Sequence, residues 1–166
     1  MSDFLSELSR RVLVFDGGMG TQIQARDLTA EDFAGLEGCN EVLVRTRPDV
    51  IRDVHLAYLD AGVDAVETDT FGGAPWVLDE YGLGAETESL NEAAARVARE
   101  AVTQHGSGFV IGSIGPGTKA PTLSLGKDPN AADFIDYDRM VDGYVRQVRG
   151  LVAGGADALI VETAFD

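Results

Sequence analysis

The sequence predicts an α/β protein that forms the first half of a (β/α)8 TIM barrel, with four parallel strands and outer helices. Two observations support this prediction: short apolar segments recur about every fifty residues, and helical patterns separate them. Strands that alternate with helices form right-handed crossovers and a parallel sheet with helices packed outside it. Carboxylates and glycines follow successive predicted strand ends, which favours a barrel with a shared mouth over an open doubly wound sheet.

The predicted strands are short runs of β-branched and other apolar residues. They are VLVF at 12–15, DAVET at 64–68, FVIGS at 109–113 and ALIVET at 158–163. A complete barrel has eight strands in about 250 residues. We therefore assign residues 1–166 to the N-terminal half of a barrel, incomplete as given.

Three helical patterns lie between the strands. The first covers 48–61, because Pro48 suits an initial helical position and an apolar period of 3.6 residues follows it. The second covers 88–104, where Ser89 and Glu92 are spaced as a capping box. The third is an apolar stripe that begins near Asp138 and stops at two glycines.

A weak internal repeat links two of these units. DAGVDAVETDTF at 60–71 is similar to AGGADALIVETAF at 153–165, and each runs from a helix end through a glycine turn and a strand to Glu-Thr. The pattern indicates that one supersecondary unit is used more than once.

Composition excludes several classes of function. The chain has 28 acidic and 13 basic side chains, a formal net charge of −15, which repels phosphate backbones and anionic lipids. We therefore expect no nucleic-acid partner and no membrane partner. No segment resembles a signal peptide or reaches the roughly 18 apolar residues of a membrane span, so we expect a cytoplasmic protein.

The stretch VFDGGMGT at 14–21 is the first candidate site. Its glycine spacing does not fit a dinucleotide-binding loop, and GPGTK at 115–119 does not fit a phosphate-binding P-loop. Asp16 beside Gly17 and Gly18 instead places a cation-binding carboxylate next to amides that can bind an anion, which suits a zwitterionic amino acid. The alternative is a turn in which the aspartate accepts local N–H groups.

Glu162 is the second candidate, because it ends the fourth predicted strand among apolar residues. An unpaired ionised carboxylate is costly there, so it needs a partner, either a ligand ammonium or a basic side chain. Glu67 and Asp69 can be interpreted in the same way on weaker grounds. His55 and His105, within helical patterns, are interpreted as structural.

Five segments carry a family resemblance: FDGGMGT, GCNEVLVRTRPDVI, HLAYLDAGVDAVETDTFGG, GSIGPGTKAPTLS and GGADALIVETAFD. Together, in order along nearly the whole chain, they resemble the homocysteine-binding (homocysteine S-methyltransferase) domain of cobalamin-dependent methionine synthases. The resemblance implies a barrel that binds homocysteine at the carboxyl ends of its strands. It also implies zinc, which activates the sulfur as a thiolate, and cobalamin on another domain as the methyl donor.

The resemblance assigns Asp16, Gly17, Gly18 and Glu162 to the amino-acid end of homocysteine. The family's zinc ligands are three cysteines from the second half of the barrel, and this sequence has no matching motif. Cys39 is the sole cysteine, does not match them, and permits neither an intrachain disulfide nor a multi-cysteine metal site. We therefore expect the zinc ligands to lie outside this segment and the isolated 166 residues to be inactive.

Two rival hypotheses stay open. In one, the chain is a non-catalytic half-barrel that self-associates and at most binds a small amino acid, so its partner is a second copy rather than the missing C-terminal half. In the other, the same fold binds an unrelated amino acid or a phosphate. The sequence does not identify the methyl donor, the oligomeric state or the natural chain length.

Overall fold

The computed structural model describes residues 3–166. The helices of this region are α1 (Phe4–Leu8), α2 (Met19–Gln24), α3 (Leu43–Thr46), α4 (Pro48–Asp60), α5 (Pro75–Leu78), α6 (Thr87–His105) and α7 (Tyr137–Ala153). The strands are β1 (Ala65–Glu67), β2 (Phe109–Ile114) and β3 (Ala158–Val161). Short 3-10 turns occur at Asn40–Val42, Asp79–Tyr81, Gly84–Glu86 and Thr122–Ser124.

The three strands form one parallel sheet in the order β1-β2-β3. Glu67 pairs with Ile111, and Ile111 pairs with Ala158 on its other side. The α6 helix connects β1 to β2 and α7 connects β2 to β3, and α4, α6 and α7 pack beside one another. The predicted alternation of parallel strands and outer helices is confirmed.

The predicted first strand at 12–15 is not confirmed as a strand. Its only sheet contact is a parallel bridge between Phe15 and Ala65. The Val14 N–H donates to the Asp64 carboxylate at 2.9 Å instead of to a strand carbonyl, and the Val14 side chain is 54% exposed. The segment therefore lies in the position of a strand beside β1 without forming the regular ladder.

The three predicted helices are present, and their boundaries agree with the prediction to within one residue. The α7 helix begins after Asp136, whose carboxylate accepts the Arg139 N–H at 2.8 Å. The proposed capping box of α6 was wrong. That helix begins at Thr87 with no side-chain cap, and the Ser89 hydroxyl donates to the Glu86 carbonyl.

The two faces of the sheet are covered by different groups. Val66 and Val110 pack against helical residues of α4 and α6, including Leu59 and Ala98. Ala65 and Ile111 face the opposite side, where they pack with Phe4 and other apolar residues. We call this second side the inner face of the sheet. Because side chains alternate along a strand, the residues two positions after Ala65 and Ile111 lie on the same face, at the carboxyl end of the sheet.

The internal repeat is confirmed at the level of hydrogen bonds. Asp64 accepts the Val14 N–H at 2.9 Å and pairs with Arg11 at 2.7 Å. Asp157 accepts the Val110 N–H at 2.8 Å and pairs with Arg99 at 2.6 Å. In each copy, the aspartate before the strand accepts a hydrogen bond from the preceding strand segment and forms an ion pair with an arginine.

Among the helices of residues 3–166, we find none with both the length and the apolar character needed to cross a membrane.

Candidate functional site

The polar residues at the strand ends share one face of the sheet. Glu67, Ser113 and Glu162 each follow an inner-facing apolar residue by two positions, namely Ala65, Ile111 and Ile160. The period-two alternation of strand side chains places them together at the carboxyl edge. This is the edge at which parallel α/β folds bind their ligands.

A cavity of about 550 Å³ opens at this edge. Its lining includes all four residues predicted to bind a ligand, Asp16, Gly17, Gly18 and Glu162. The other lining residues are Met19, Gly20, Asn40, Glu41, Glu67, Thr68, Asp69, Phe71 and Ser113. Among the residues that the structure describes, the lining of this cavity therefore includes five carboxyl groups and no lysine, arginine or histidine.

Asp16 is tied to β1 rather than to its own turn. Both of its carboxylate oxygens accept the Glu67 N–H, at 3.0 and 3.1 Å, and the Asp16 N–H donates to the Ala65 carbonyl at 3.1 Å. Burial raises the pKa of Asp16 to about 6, against the opposing effect of these hydrogen bonds. The carboxylate is ionised at neutral pH and retains lone pairs for a further donor.

Gly18 is held through its carbonyl group. The Gly18 carbonyl accepts the hydroxyls of Thr21 at 2.9 Å and Tyr58 at 3.3 Å. Within residues 3–166, the Gly17 and Gly18 N–H groups donate to no protein acceptor. A side chain at position 17 would contact the Tyr58 hydroxyl at 3.2 Å, so glycine allows this close approach.

Glu162 lies directly after β3 and accepts the Ser113 hydroxyl. Burial, followed by the charges of Glu162 and Asp16, raises the pKa of Glu67 to about 7. Glu67 holds a proton for part of the time at neutral pH, and among the described residues no basic side chain lies beside it or Glu162 in the cavity.

Sequence reasoning missed Glu41 as a lining residue. Its Oε1 accepts the Gly72 N–H at 2.7 Å, and the Cys39 Sγ lies 3.8 Å from its Oε2. Burial raises the pKa of Glu41. The only sequence signal was an acidic residue directly before the apolar run VLV, which does not indicate the contact with Gly72, 31 positions later.

The described residues do not fit the zinc site that the resemblance implies. No group of three histidine, cysteine or acidic residues within 3–166 has metal-binding geometry. Cys39 is fully buried, and burial together with the Glu41 charge raises its thiol pKa to about 11. A thiol in this state is neither a ready metal ligand nor a nucleophile, because both roles need the thiolate.

The family model of homocysteine S-methyltransferases matches residues 13–166. The chain belongs to the homocysteine S-methyltransferase family. It is 45% identical to a methionine synthase of Mycobacterium tuberculosis and 44% identical to one of Mycobacterium leprae, over 99% of this chain in both alignments. The chain spans only 13% of the length of each of these relatives.

Solved structures agree with this membership. The metallated form of the homocysteine methyltransferase MmuM from Escherichia coli matches with a TM-score of 0.70 and 26% identity. That match covers 95% of this chain and 56% of MmuM. The apo form of MmuM matches with a TM-score of 0.60 and covers 49% of that protein.

Proposed function

We propose that this chain supplies the amino-acid-recognition half of a site that methylates the sulfur of homocysteine to give methionine. Asp16 and Glu162 bind the α-ammonium, and the Gly17 and Gly18 amides bind the α-carboxylate. The observation that carries the proposal is the cavity, in which these carboxyl groups and free amides meet and to which residues 3–166 contribute no basic side chain. Family membership supports homocysteine as the amino acid.

The charge distribution favours a ligand with an ammonium group. Asp16 and Glu162 both act on Glu67, since Asp16 accepts its N–H and the charges of Glu162 and Asp16 add to burial in raising the pKa of its carboxyl group. Partly buried carboxylates gain most from a donor that is itself charged. An ammonium bound here favours the ionised form of Glu67.

The same lining argues against the phosphate hypothesis. Five carboxyl groups surround the cavity, and a phosphate would carry up to two more negative charges into it without a cation to balance them. The glycine amides can bind a small anionic group such as a carboxylate, provided that the same ligand carries a positive group to balance the surrounding carboxyl groups.

The proposal leaves the sulfur chemistry to residues outside this segment. The zinc that would activate the thiol and the cobalamin that would supply the methyl group need ligands and domains beyond those described here. The role of this chain is to bind and orient the amino acid, and Cys39 takes no part in it. The isolated 166 residues are accordingly expected to show no turnover with methylcobalamin and homocysteine.

The test is homocysteine binding to the natural full-length polypeptide, by titration calorimetry. Asp16→Ala and Glu162→Ala should each lower the affinity about tenfold or more, the value of one charged hydrogen bond. Glu100→Ala, which removes a negative charge from the exposed side of α6, is the matched control and should leave affinity unchanged. Unchanged affinity in both site variants would end the assignment.

The free edge of β3 bears on whether this chain pairs with the rest of a barrel or with a second copy of itself. Leu159, Val161 and Phe165 are 41%, 69% and 67% exposed, so this edge needs a covering. We favour the remaining strands of a barrel as that covering, because the solved relative extends well beyond the matched part. Light scattering of the 166-residue chain decides between this and the rival, since a defined dimer would favour self-association.

A further inference from the structure

We propose that Asp69 is a further binding residue of this site, whose neutral carboxyl group donates a hydrogen bond to an acceptor atom of the bound amino acid. The inference rests on the proposed function and adds a contact to it. Asp69 lines the same cavity as Asp16 and Glu162. Neither the family comparison nor the resemblance of the sequence assigns it a role.

The first support is the contrast between a fixed backbone and a free side chain. The Thr68 N–H donates to the Ile111 carbonyl at 2.9 Å, and the Thr70 hydroxyl donates to the Ser113 carbonyl at 2.7 Å. Gln147 in α7 donates to the Thr70 carbonyl at 2.9 Å. Both neighbours of Asp69 are therefore anchored by buried hydrogen bonds.

The carboxyl group itself has been left without a partner. Asp69 is 6% exposed, and its Oδ2 makes no hydrogen bond within the described part of the chain. Buried polar groups are nearly always hydrogen-bonded, so an exception at the wall of a cavity needs an explanation. Oδ2 is closed off from the cavity, so a bound ligand reaches this carboxyl group through Oδ1, which also makes no hydrogen bond within the described residues.

Glu41 shows what a structural carboxyl group looks like in the same lining. It accepts the Gly72 N–H at 2.7 Å and lies beside the Cys39 thiol, so its oxygens are used by the protein. Asp69 lies close enough to Glu41 to be affected by its charge. Two adjacent carboxyl groups hold a proton between them more readily than both ionise.

The protonation state follows from these surroundings. Burial, with a contribution from Glu41, raises the pKa of Asp69 to about 8. The other titratable groups nearby are the Cys39 thiol and the cavity carboxyls Asp16, Glu67 and Glu162, none of which stabilises a negative charge. Asp69 therefore carries a proton at neutral pH and can donate it in a hydrogen bond to a carboxylate or sulfur.

The experiment is homocysteine titration of the natural full-length polypeptide carrying Asp69→Ala or Asp69→Asn. Because asparagine keeps a donor in nearly the same position, Asp69→Asn should bind within about twofold of the parent at pH 7, whereas Asp69→Ala should lose about tenfold. Between pH 7 and 9 the parent should lose about tenfold in affinity relative to Asp69→Asn, since a group of pKa about 8 ionises in that range.

Two results would overturn the inference. One is unchanged affinity in Asp69→Ala. The other is equal loss in both variants with a parent affinity that rises toward pH 9, which would make Asp69 an anionic partner of the ammonium. The Asp16→Ala variant distinguishes a failure of this inference from a failure of the proposed function, because unchanged homocysteine affinity in Asp16→Ala would contradict the proposed function. Circular dichroism of Asp69→Asn confirms that the fold is retained.

A sulfur-free analogue, 2-aminobutyrate, locates the acceptor. If Asp69→Ala weakens the binding of both ligands equally, the hydrogen bond goes to the amino-acid end. If only homocysteine binding weakens, the bond goes to the sulfur. Either result supports the contact and assigns its partner atom.

Discussion

The two copies of the internal repeat start alike and end differently. Asp64 and Asp157 make the same hydrogen bond to the preceding strand segment, and both copies continue into Glu-Thr. After β1, Thr68, Asp69 and Thr70 are all buried. After β3, Thr163 has a positive φ of 57° and Phe165 is 67% exposed. Sequence determines the unit, whereas its neighbours determine how much of it is buried.

Neighbouring elements explain the difference. The β1 strand has β2 on one side, the 12–15 segment on the other, and α4 behind it. The β3 strand pairs with β2 on one side only within the described chain. The carboxyl end of β1 is therefore fixed before any ligand binds, while that of β3 depends on what covers its free edge.

Acid should lower the free energy of unfolding of this chain through His55, which lies in α4, the helix that leads into the first copy. This residue is fully buried, and burial lowers its pKa to about 4. Its folded-state pKa lies below the unfolded value of about 6.5, so its stabilising effect is complete above pH 6.5 and is lost as pH falls toward 4, up to about 3 kcal/mol. Urea unfolding of this chain between pH 7.5 and 4.5 measures it.

The control for that prediction is the comparison of two histidine variants. His55→Leu should flatten the pH dependence, whereas His105→Gln, at the exposed end of α6, should leave it intact. An unchanged acid loss in His55→Leu would contradict the assigned role.

Substituting alanine for a valine in β1 and for one in β3 tests the difference in burial between these two strands. Val66 is fully buried, so Val66→Ala should destabilise this chain by about 2 kcal/mol through lost burial and a cavity. Val161 is 69% exposed, and Val161→Ala should stay within about 0.5 kcal/mol. Equal losses by chemical denaturation would mean that the β3 edge is covered in solution.

The aspartates test the similarity of the two copies. Asp64→Asn and Asp157→Asn should each destabilise the chain by about 1–2 kcal/mol, because each removes a charge-assisted bond to a strand N–H and an arginine. Asp142→Asn, on the exposed face of α7, is the control and should have little effect. A large loss at one position alone would break the equivalence. Thermal unfolding compares all three variants.

The glutamates that end the two copies should differ in ligand binding. In the natural full-length polypeptide, Glu162→Gln should lower homocysteine affinity several-fold, because it replaces a carboxyl oxygen that accepts from the ammonium with an amide. Glu67→Gln should change affinity by less than about threefold, because Glu67 already holds a proton part of the time at its pKa of about 7. Both affinities are measured by titration calorimetry. A larger loss in Glu67→Gln than in Glu162→Gln would show that Glu67, not Glu162, binds the ammonium.

Local sequence patterns predicted much of this architecture, for physical reasons that particular residues make clear. Pro48 and the apolar stripe before Gly154 defined α4 and α7, because helix ends and periodicity are local properties. The strand at 12–15 was not predicted correctly, since the Val14 N–H is taken by a carboxylate 50 positions away.

Within the site, Asp16 and Glu162 were predictable because they follow strand-like runs directly. Glu41 was not, since the contact that places it in the lining, with the Gly72 N–H, comes from the loop after β1, 31 positions later in the sequence. The missing hydrogen bond of Asp69 Oδ2 is likewise a property of the folded chain and leaves no trace in composition or spacing.

A crystal structure of the natural full-length polypeptide with homocysteine bound would show directly which groups hold the amino-acid end. We expect the α-ammonium within hydrogen-bond distance of Asp16 and Glu162, and the α-carboxylate at the Gly17 and Gly18 amides. An amino-acid end bound elsewhere, with Asp16 and Glu162 contacting only protein atoms, would contradict this expectation.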